Sequence, residues 1–584
     1  MAKLFMFLFY LFVTLFFIQC TEKNKLPKGD ADNGGIFLPD NFEALVVVDS
    51  IGSARHLAVN NDGDIYVKLR DAAPQSGNVA ISVGEDGKAD SVAYFGDYAV
   101  KGGYGPTGMR IYHDYLYFSS GGAVYRNKLT PGKLIPESKI ETILIDDYEH
   151  DIHGHEHIGK PLAFDDKGHM YVPFGAPSDV CQVTNRTPGL LAQNPCPELS
   201  EHGGIWQFDA NKLNQTQKDG KRYATGIRSV IGMDWNHNDN TLYALQHGRD
   251  AFNRAWPDLY SAWQTAVLPS EEFFRVKEGM DGGWPYYYYD QIKGKKLLNP
   301  EYGGDGKIEG KGADYTQPII GFPGHFAPND LLFYTGNQFP EHYKNGAFIA
   351  FHGSTIRAPY PQAGYFVCFV PFKDGSPSGP WEVFADGFAE KDTIVNPGDA
   401  AHRPMGLAMG PEGSLYVSDA VKGKIWRIMF KGNKDSFGLA QLAKMEKRKT
   451  RTNIKTPDAV KDNLDMGMAS AGEKTYKVYC ATCHQGDGKG DGDRFPPLDG
   501  SEWVVGDKTR LINVILNGLE GPIKVKGKSF NGTMPKHDFL SDADIAQILT
   551  YSRLNFTNNS SAVREKEVAR VRSNLQKAKP VDKK

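Results

Sequence analysis

Hydrophobic and polar positions recur in a fixed unit from about residue 40 to 430: an apolar run, a polar turn with Gly, Asp or Asn, then a second run of the Leu-Tyr-Val kind. Copies read Leu57-Ala58-Val59 with Ile65-Tyr66-Val67, Met109-Arg110-Ile111 with Leu116-Tyr117-Phe118, and Leu162-Ala163-Phe164 with Met170-Tyr171-Val172. Three more follow, at Met233-Asp234-Trp235 with Leu242-Tyr243-Ala244, at Leu331-Leu332-Phe333 with Phe348-Ile349-Ala350, and at Leu407-Ala408-Met409 with Leu415-Tyr416-Val417. Short apolar runs separated by turn residues predict hairpins. A single β-sandwich holds about 100 residues, far fewer than this span. Repeated units that cannot bury their faces alone predict a six-bladed β-propeller over 40–430.

Beyond it the pattern changes. Residues 431–469 are rich in Lys, Arg, Asn and Asp and predict a charged, solvated linker. A small all-α domain is expected over 470–557, its last helix capped by Ser541 with Asp544 and presenting Ile545, Ile548, Leu549 and Tyr551 on one face. Residues 558–584 read as a frayed polar, basic tail. At the other end Lys3 precedes the apolar run Leu4 to Ile18, too short to span a bilayer comfortably and ordered like an export signal. Phe17-Ile18-Gln19-Cys20 resembles a bacterial lipoprotein signal, which implies a signal over 1–20, a lipid-carrying Cys20, a tether over 21–39 and a periplasmic or outer-membrane-anchored protein. Gln19 departs from the small residue usual there and leaves plain secretion or an uncleaved anchor as alternatives.

With a net charge of −3 over 584 residues, binding to nucleic acid is not expected. The chemistry enters with Cys480-Ala481-Thr482-Cys483-His484. Thiols of Cys480 and Cys483 can add to the vinyl groups of a haem while His484 ligates iron, giving covalent haem c. No further cysteine follows for a zinc site. The single methionine after His484 is Met534, in the turn-rich Asn531-Gly532-Thr533-Met534-Pro535, which makes it the expected second axial ligand with His537 in reserve. Covalent haem of this kind implies export. In an oxidising compartment Cys181 and Cys196, bracketing a Pro- and Gly-containing loop, are expected to form a disulfide, and Cys368 reads as a buried small hydrophobe.

The densest histidine tract, His150-Asp151-Ile152-His153-Gly154-His155-Glu156-His157, permits a zinc or copper site, loop histidines with no joint role, or one catalytic histidine at a strand entrance. Here a family resemblance adds to the residues. The stretches His157 to Phe164, Ala224 to Arg228, His247-Gly248-Arg249-Asp250, Lys277-Glu278-Gly279 with Gly283-Trp284-Pro285, Phe351-His352-Gly353-Ser354 with Arg357, and His402 to Leu407 are similar to the glucose/sorbosone dehydrogenase family, which uses pyrroloquinoline quinone (PQQ) with calcium. The C-terminal domain resembles class I cytochrome c. The family resemblance implies His157 as catalytic base and Arg228, His247, Arg357 and Arg403 around the PQQ carboxylates, a group that arginine suits. Calcium is expected near Gly248 and Asp250. Ser229 and Thr355-Ile356 depart from the family's pattern near the cofactor or substrate mouth. The expected activity is PQQ- and calcium-dependent oxidation of an aldose or related sugar, with electrons passing through haem to a downstream cytochrome or oxidase. A non-catalytic carbohydrate- or protein-binding propeller carrying a haem module is the alternative.

Overall fold

The computed structural model describes residues 26–73, 76–96, 107–146, 156–250, 252–310, 315–358, 360–457, 466–558 and 560–578. The signal over 1–20, Cys20, and the histidine tract up to His155 lie outside the described residues. No described helix is long and apolar enough to cross a membrane.

Six sheets form the propeller, antiparallel but for one added parallel pairing in each of two of them, and each begins with one of the six hairpins read from the sequence. Blade 1 opens with Ala54–Val59 and Ile65–Ala73, blade 2 with Met109–Tyr112 and Tyr115–Ser119, and blade 3 with Ala163–Phe164 and His169–Phe174. Blades 4, 5 and 6 open with Val230–Asn236, Pro328–Phe333 and Pro404–Met409. The repeated polar turn has a conformational cause. Gly63, Gly168 and Gly413 occupy it at φ of 90°, 90° and 91°, and His113, Asn240 and Asn345 at 50°, 48° and 59°. A left-handed residue is needed there, and Gly or Asn supplies it at least cost.

The ring is closed by the N-terminal strand Phe42–Val48, which pairs with Ile425–Phe430 as the outer strand of blade 6, Phe42 opposite Phe430. Apolar clusters fill all six seams between neighbouring blades. The seam between blades 6 and 1 packs Leu45, Val47 and Ile425 on Leu57, Ile65 and Val67. A fully buried Leu, Ile or Phe contributes about 1.5–3 kcal/mol, so these seams hold the hairpins in place.

Cys181 and Cys196 form the expected disulfide, with Cα atoms 6.0 Å apart and a sequence separation of 15. Closing a loop of that length stabilises the fold by about 3 kcal/mol. Cys181→Ser/Cys196→Ser should lower the free energy of the propeller's urea transition by that amount. An unchanged midpoint would show that the Ser178–Glu198 hydrogen bond, 2.6 Å, holds the loop unaided.

Two expectations are corrected. The segment expected as a solvated linker is, up to residue 455, part of the propeller unit. Its helix Leu439–Glu446 buries Leu442 and Met445, Arg448 pairs with Asp386 at 2.6 Å, and the Arg448 guanidinium lies 3.9 Å from the centre of the Phe37 ring. Its basic residues are thus used in packing. The tail expected to fray carries the helix Glu565–Ala578, whose Val568 and Val571 join a buried cluster.

The second compact unit gathers 251–267, 356–361 and the chain from 456 onward. Helices Met466–Tyr479 and Asp542–Leu554 cross closely, and Gly472 permits it, since a Cβ there would meet the Gln547 carbonyl oxygen at 2.0 Å. Ser541 caps the second helix by accepting the Asp544 N–H at 3.0 Å, and Ile545, Ile548, Leu549 and Tyr551 are buried as expected.

Candidate functional site

In the propeller unit the residues expected around the base converge. Half-buried His157 precedes the first strand of blade 3, and its Nδ1 lies 2.6 Å from the Ala176 carbonyl oxygen. A carbonyl only accepts, so Nδ1 carries the proton and Nε2 keeps its lone pair. Burial, reinforced by the Arg228 guanidinium, holds the imidazole well below its ordinary pKa and therefore neutral. Gly175 packs on the His157 backbone so closely that an added Cβ would sit 2.1 Å from its carbonyl oxygen.

Arg228 enters blade 4 nearly buried. Its backbone N–H donates to Gln246 Oε1 at 2.6 Å, Nη2 donates to Asp179 Oδ1 at 2.6 Å, and Nη1 donates to the carbonyl oxygens of Gly248 at 2.9 Å and His247 at 3.3 Å. Its buried Nε has no hydrogen-bond partner. Asp179 also faces Arg249 Nε at 3.5 Å, while Arg249 Nη1 donates to Glu301 at 2.5 Å. Burial alone would raise the Asp179 carboxyl, but Arg228, Arg249 and Arg186 outweigh it and hold the pKa at about 2. His247 Nε2 donates to the Pro328 carbonyl oxygen at 3.0 Å, and burial pushes its pKa down to about 4. Asp250 pairs with Arg186 at 3.1 Å.

Asp179 therefore anchors two arginines, and sequence reasoning missed it. Its nearness to Cys181, whose disulfide pins the loop, was the available signal. Asp179→Ala would leave buried positive charge short of its partner, at a cost of about 3–5 kcal/mol. Because the folded pKa lies below the unfolded one, the stability Asp179 contributes is present above the ordinary carboxylate pKa of 3.8 and is lost as pH falls toward about 2. Chemical denaturation of wild type and variant at pH 7 and pH 2.5 should show their difference shrinking in acid.

Arg403 precedes the first strand of blade 6. Its Nε donates to the His352 carbonyl oxygen at 3.1 Å, its Nη2 to that of Gly353, and its guanidinium lies 5.3 Å from the Tyr365 ring centre. Burial of its ring, reinforced by the positive charge of Arg403 and behind it Arg55 and His247, holds half-buried His352 well below its ordinary pKa and neutral. Arg357 is not brought into this unit: it belongs to the second one, fully buried, with Nε donating to the Ala266 carbonyl oxygen at 2.7 Å. No group of three or more His, Cys, Asp or Glu able to hold a metal occurs among the described residues. At the expected calcium position the oxygens of His247 and Gly248 accept N–H from Arg228, and Asp250 is engaged by Arg186.

In the second unit Cys480 caps the single turn Ala481–His484 and Cys483 lies within it, neither in a disulfide. Burial pushes the Cys480 thiol up to about 11. His484 Nδ1 lies 3.0 Å from the Pro496 carbonyl oxygen, so Nδ1 donates and Nε2 is left for a metal. Met534 ends the strand Lys528–Met534 and, with Cys480, borders the cluster of Leu511, Ile515 and Leu549. Thiols, a directed imidazole and a thioether beside an apolar cluster suit a covalent haem. His537 packs its ring 5.7 Å from Phe539.

A six-bladed propeller followed by a helical domain with a CXXCH turn defines a propeller protein that carries a cytochrome c module. Comparison with known proteins specifies both parts. Residues 95–357 match the family described as Glucose / Sorbosone dehydrogenase, 305–431 match TrAA12-like, and 467–551 match Cytochrome C oxidase, cbb3-type, subunit III. The Pyranose Dehydrogenase PQQ domain from Coprinopsis cinerea superposes with a TM-score of 0.53 at 16% identity, covering 70% of this chain and 99% of that one. Cytochrome c-552 of Thermus thermophilus is 41% identical over 91 residues, 15% of this chain and 62% of that protein. An uncharacterized protein of Borreliella burgdorferi is 26% identical over 220 residues, 37% of this chain and 51% of its own length. The chain thus spans about half to under two thirds of these two curated relatives. Residues 95–357 are thus similar to the Glucose / Sorbosone dehydrogenase family and residues 467–551 to a cytochrome c domain.

Proposed function

We propose that the propeller oxidises an aldose or related sugar with PQQ, and that electrons pass singly to a haem c on Cys480 and Cys483 and then to an external cytochrome or oxidase. The observation that carries this reading is His157, neutral, with Nδ1 tied to Ala176 and Nε2 open beside the buried Arg228. The family match and the names of its relatives, a pyranose dehydrogenase among them, support the sugar substrate.

PQQ, when bound, supplies an ortho-quinone that accepts a hydride. Its carboxylates suit Arg228, whose buried Nε has no acceptor, and Arg403, whose Nε and Nη2 rest on main-chain carbonyls. His157 Nε2 takes the hydroxyl proton of the substrate, and its neutral form is the one able to do so. Arg228, fixed by Asp179, holds positive charge beside the imidazole and keeps it unprotonated between turnovers. The residues at 247–250 do not form a calcium cage: a calcium on the His247 and Gly248 oxygens would compete with Arg228, and no step here runs through one. His484 and Met534 are the proposed iron ligands, and export with a lipid on Cys20 would place the protein where its haem is attached. Dye-linked assays of PQQ-loaded protein should show oxidation of an aldose. Protein that binds PQQ and oxidises neither aldoses nor simple alcohols would leave the non-catalytic binding propeller instead.

A further inference from the structure

Two glutamates open the third strand of blade 4, Glu271–Val276, and both are buried. They are used differently. Glu272 is neutralised by Lys296 at 2.6 Å. Glu271 forms no ion pair among the described residues, and a buried carboxyl that balances no charge is retained only where its hydrogen bonds repay the loss of water. Its two oxygens point to two different parts of the site: Oε2 accepts the Gly248 N–H at 2.9 Å and Oε1 accepts the Ala327 N–H at 3.2 Å. Burial pushes its carboxyl up to about 8 against those two donors. Neither contact depends on that proton, since each oxygen of a carboxyl keeps a lone pair in both forms.

The two backbone segments that Glu271 joins carry the two site arginines. Gly248 offers its carbonyl oxygen to Arg228 Nη1 at 2.9 Å. It also packs tightly on the chain entering Glu271, where an added Cβ would lie 2.9 Å from the Pro269 carbonyl oxygen. On the other side the Ala327 carbonyl oxygen accepts the His352 N–H at 2.9 Å, and the His352 carbonyl oxygen accepts from Arg403 Nε at 3.1 Å. Hydrogen bonds therefore run without a break from Arg228 through Gly248, Glu271, Ala327 and His352 to Arg403. The Ala327 side needs such support. Ala327 at φ 55° and His325 at φ 67° are left-handed although neither is glycine, a form that persists only where the surroundings determine it.

We propose that Glu271 is a positioning residue that holds the loop beneath Arg228 and the segment beneath Arg403 at one fixed spacing. The bridge itself stands on the hydrogen bonds; its use, presenting both arginines to one cofactor, rests on the function proposed above. Glu271 touches neither cofactor nor substrate in this role and acts through the main chain of its neighbours.

The test uses the full-length haem-loaded protein with Glu271→Gln and Glu271→Ala. Glutamine keeps the volume and one acceptor oxygen, so it serves should the alanine variant fail to fold. Hydrogen–deuterium exchange read by mass spectrometry, without cofactor, should quicken about tenfold in the peptides covering 247–250 and 325–327 in Glu271→Ala, and in at least one of them in Glu271→Gln. The blade 1 hairpin 54–73 should exchange as in wild type. PQQ titrated by fluorescence quenching should bind Glu271→Gln about tenfold more weakly, whereas a residue that only stabilises the fold would lower the melting temperature and leave that Kd alone. Wild-type exchange at both segments in both variants overturns the bridge, and faster exchange with an unchanged PQQ Kd overturns the positioning role. Wild type that binds no PQQ overturns the proposed function instead, and the exchange comparison then decides the bridge alone.

Discussion

His157→Ala is expected to lower kcat about 10²–10⁴-fold, the range general-base catalysis contributes, while PQQ still binds. The side chain's own structural role is one hydrogen bond to Ala176, worth about 1 kcal/mol, so the variant should fold. Loss of turnover with normal PQQ titration would separate the base from a binding residue. The pH dependence follows from the same geometry. Burial and Arg228 hold the imidazole well below 6.5, so the neutral base persists as the medium is acidified. Activity limited by this group should therefore stay level from pH 8 to 6 and fall only in stronger acid. A decline centred on the ordinary histidine pKa would assign the base elsewhere. Unchanged turnover in His157→Ala would remove the residue from its role.

The second large effect is expected from Cys480→Ser/Cys483→Ser. Without either thiol no thioether can form, so haem staining on a denaturing gel should disappear altogether, and with it electron delivery to any acceptor served by the haem. Dye-linked sugar oxidation should survive, because the propeller has its own closed ring of six apolar seams and shares none of them with the cysteines. Loss of both activities together would show that the propeller depends on the haem domain to fold or to turn over.

Much of this organisation was legible in the chain. The six hairpins were readable because each blade repeats one local rule: an apolar strand, a left-handed turn, an apolar strand. Gly63, Gly168 and Gly413 mark that turn directly. The cap at Ser541 and the disulfide of Cys181 with Cys196 were equally local. What sequence did not reveal is long-range. Phe42–Val48 closes the ring on a strand nearly 400 residues away, and nothing in its own pattern says so. Asp179 matters only because folding places it between Arg228 and Arg249. The helices around Met445 and Val571 are a different case. Leu442 with Met445, and Val568 with Val571 and Leu575, stand three and four apart on one face, a signal outweighed by the abundance of lysine and arginine around them.

The central claim, that sugar oxidation in the propeller feeds the haem, is tested most directly by anaerobic stopped-flow spectroscopy of full-length protein loaded with PQQ and oxidised haem. Adding an aldose should bring up the reduced-haem α-band in wild type and not in His157→Ala, although dithionite reduces the haem of both. A haem that stays oxidised in wild type while a dye in the same cuvette is reduced by the sugar would contradict the claim.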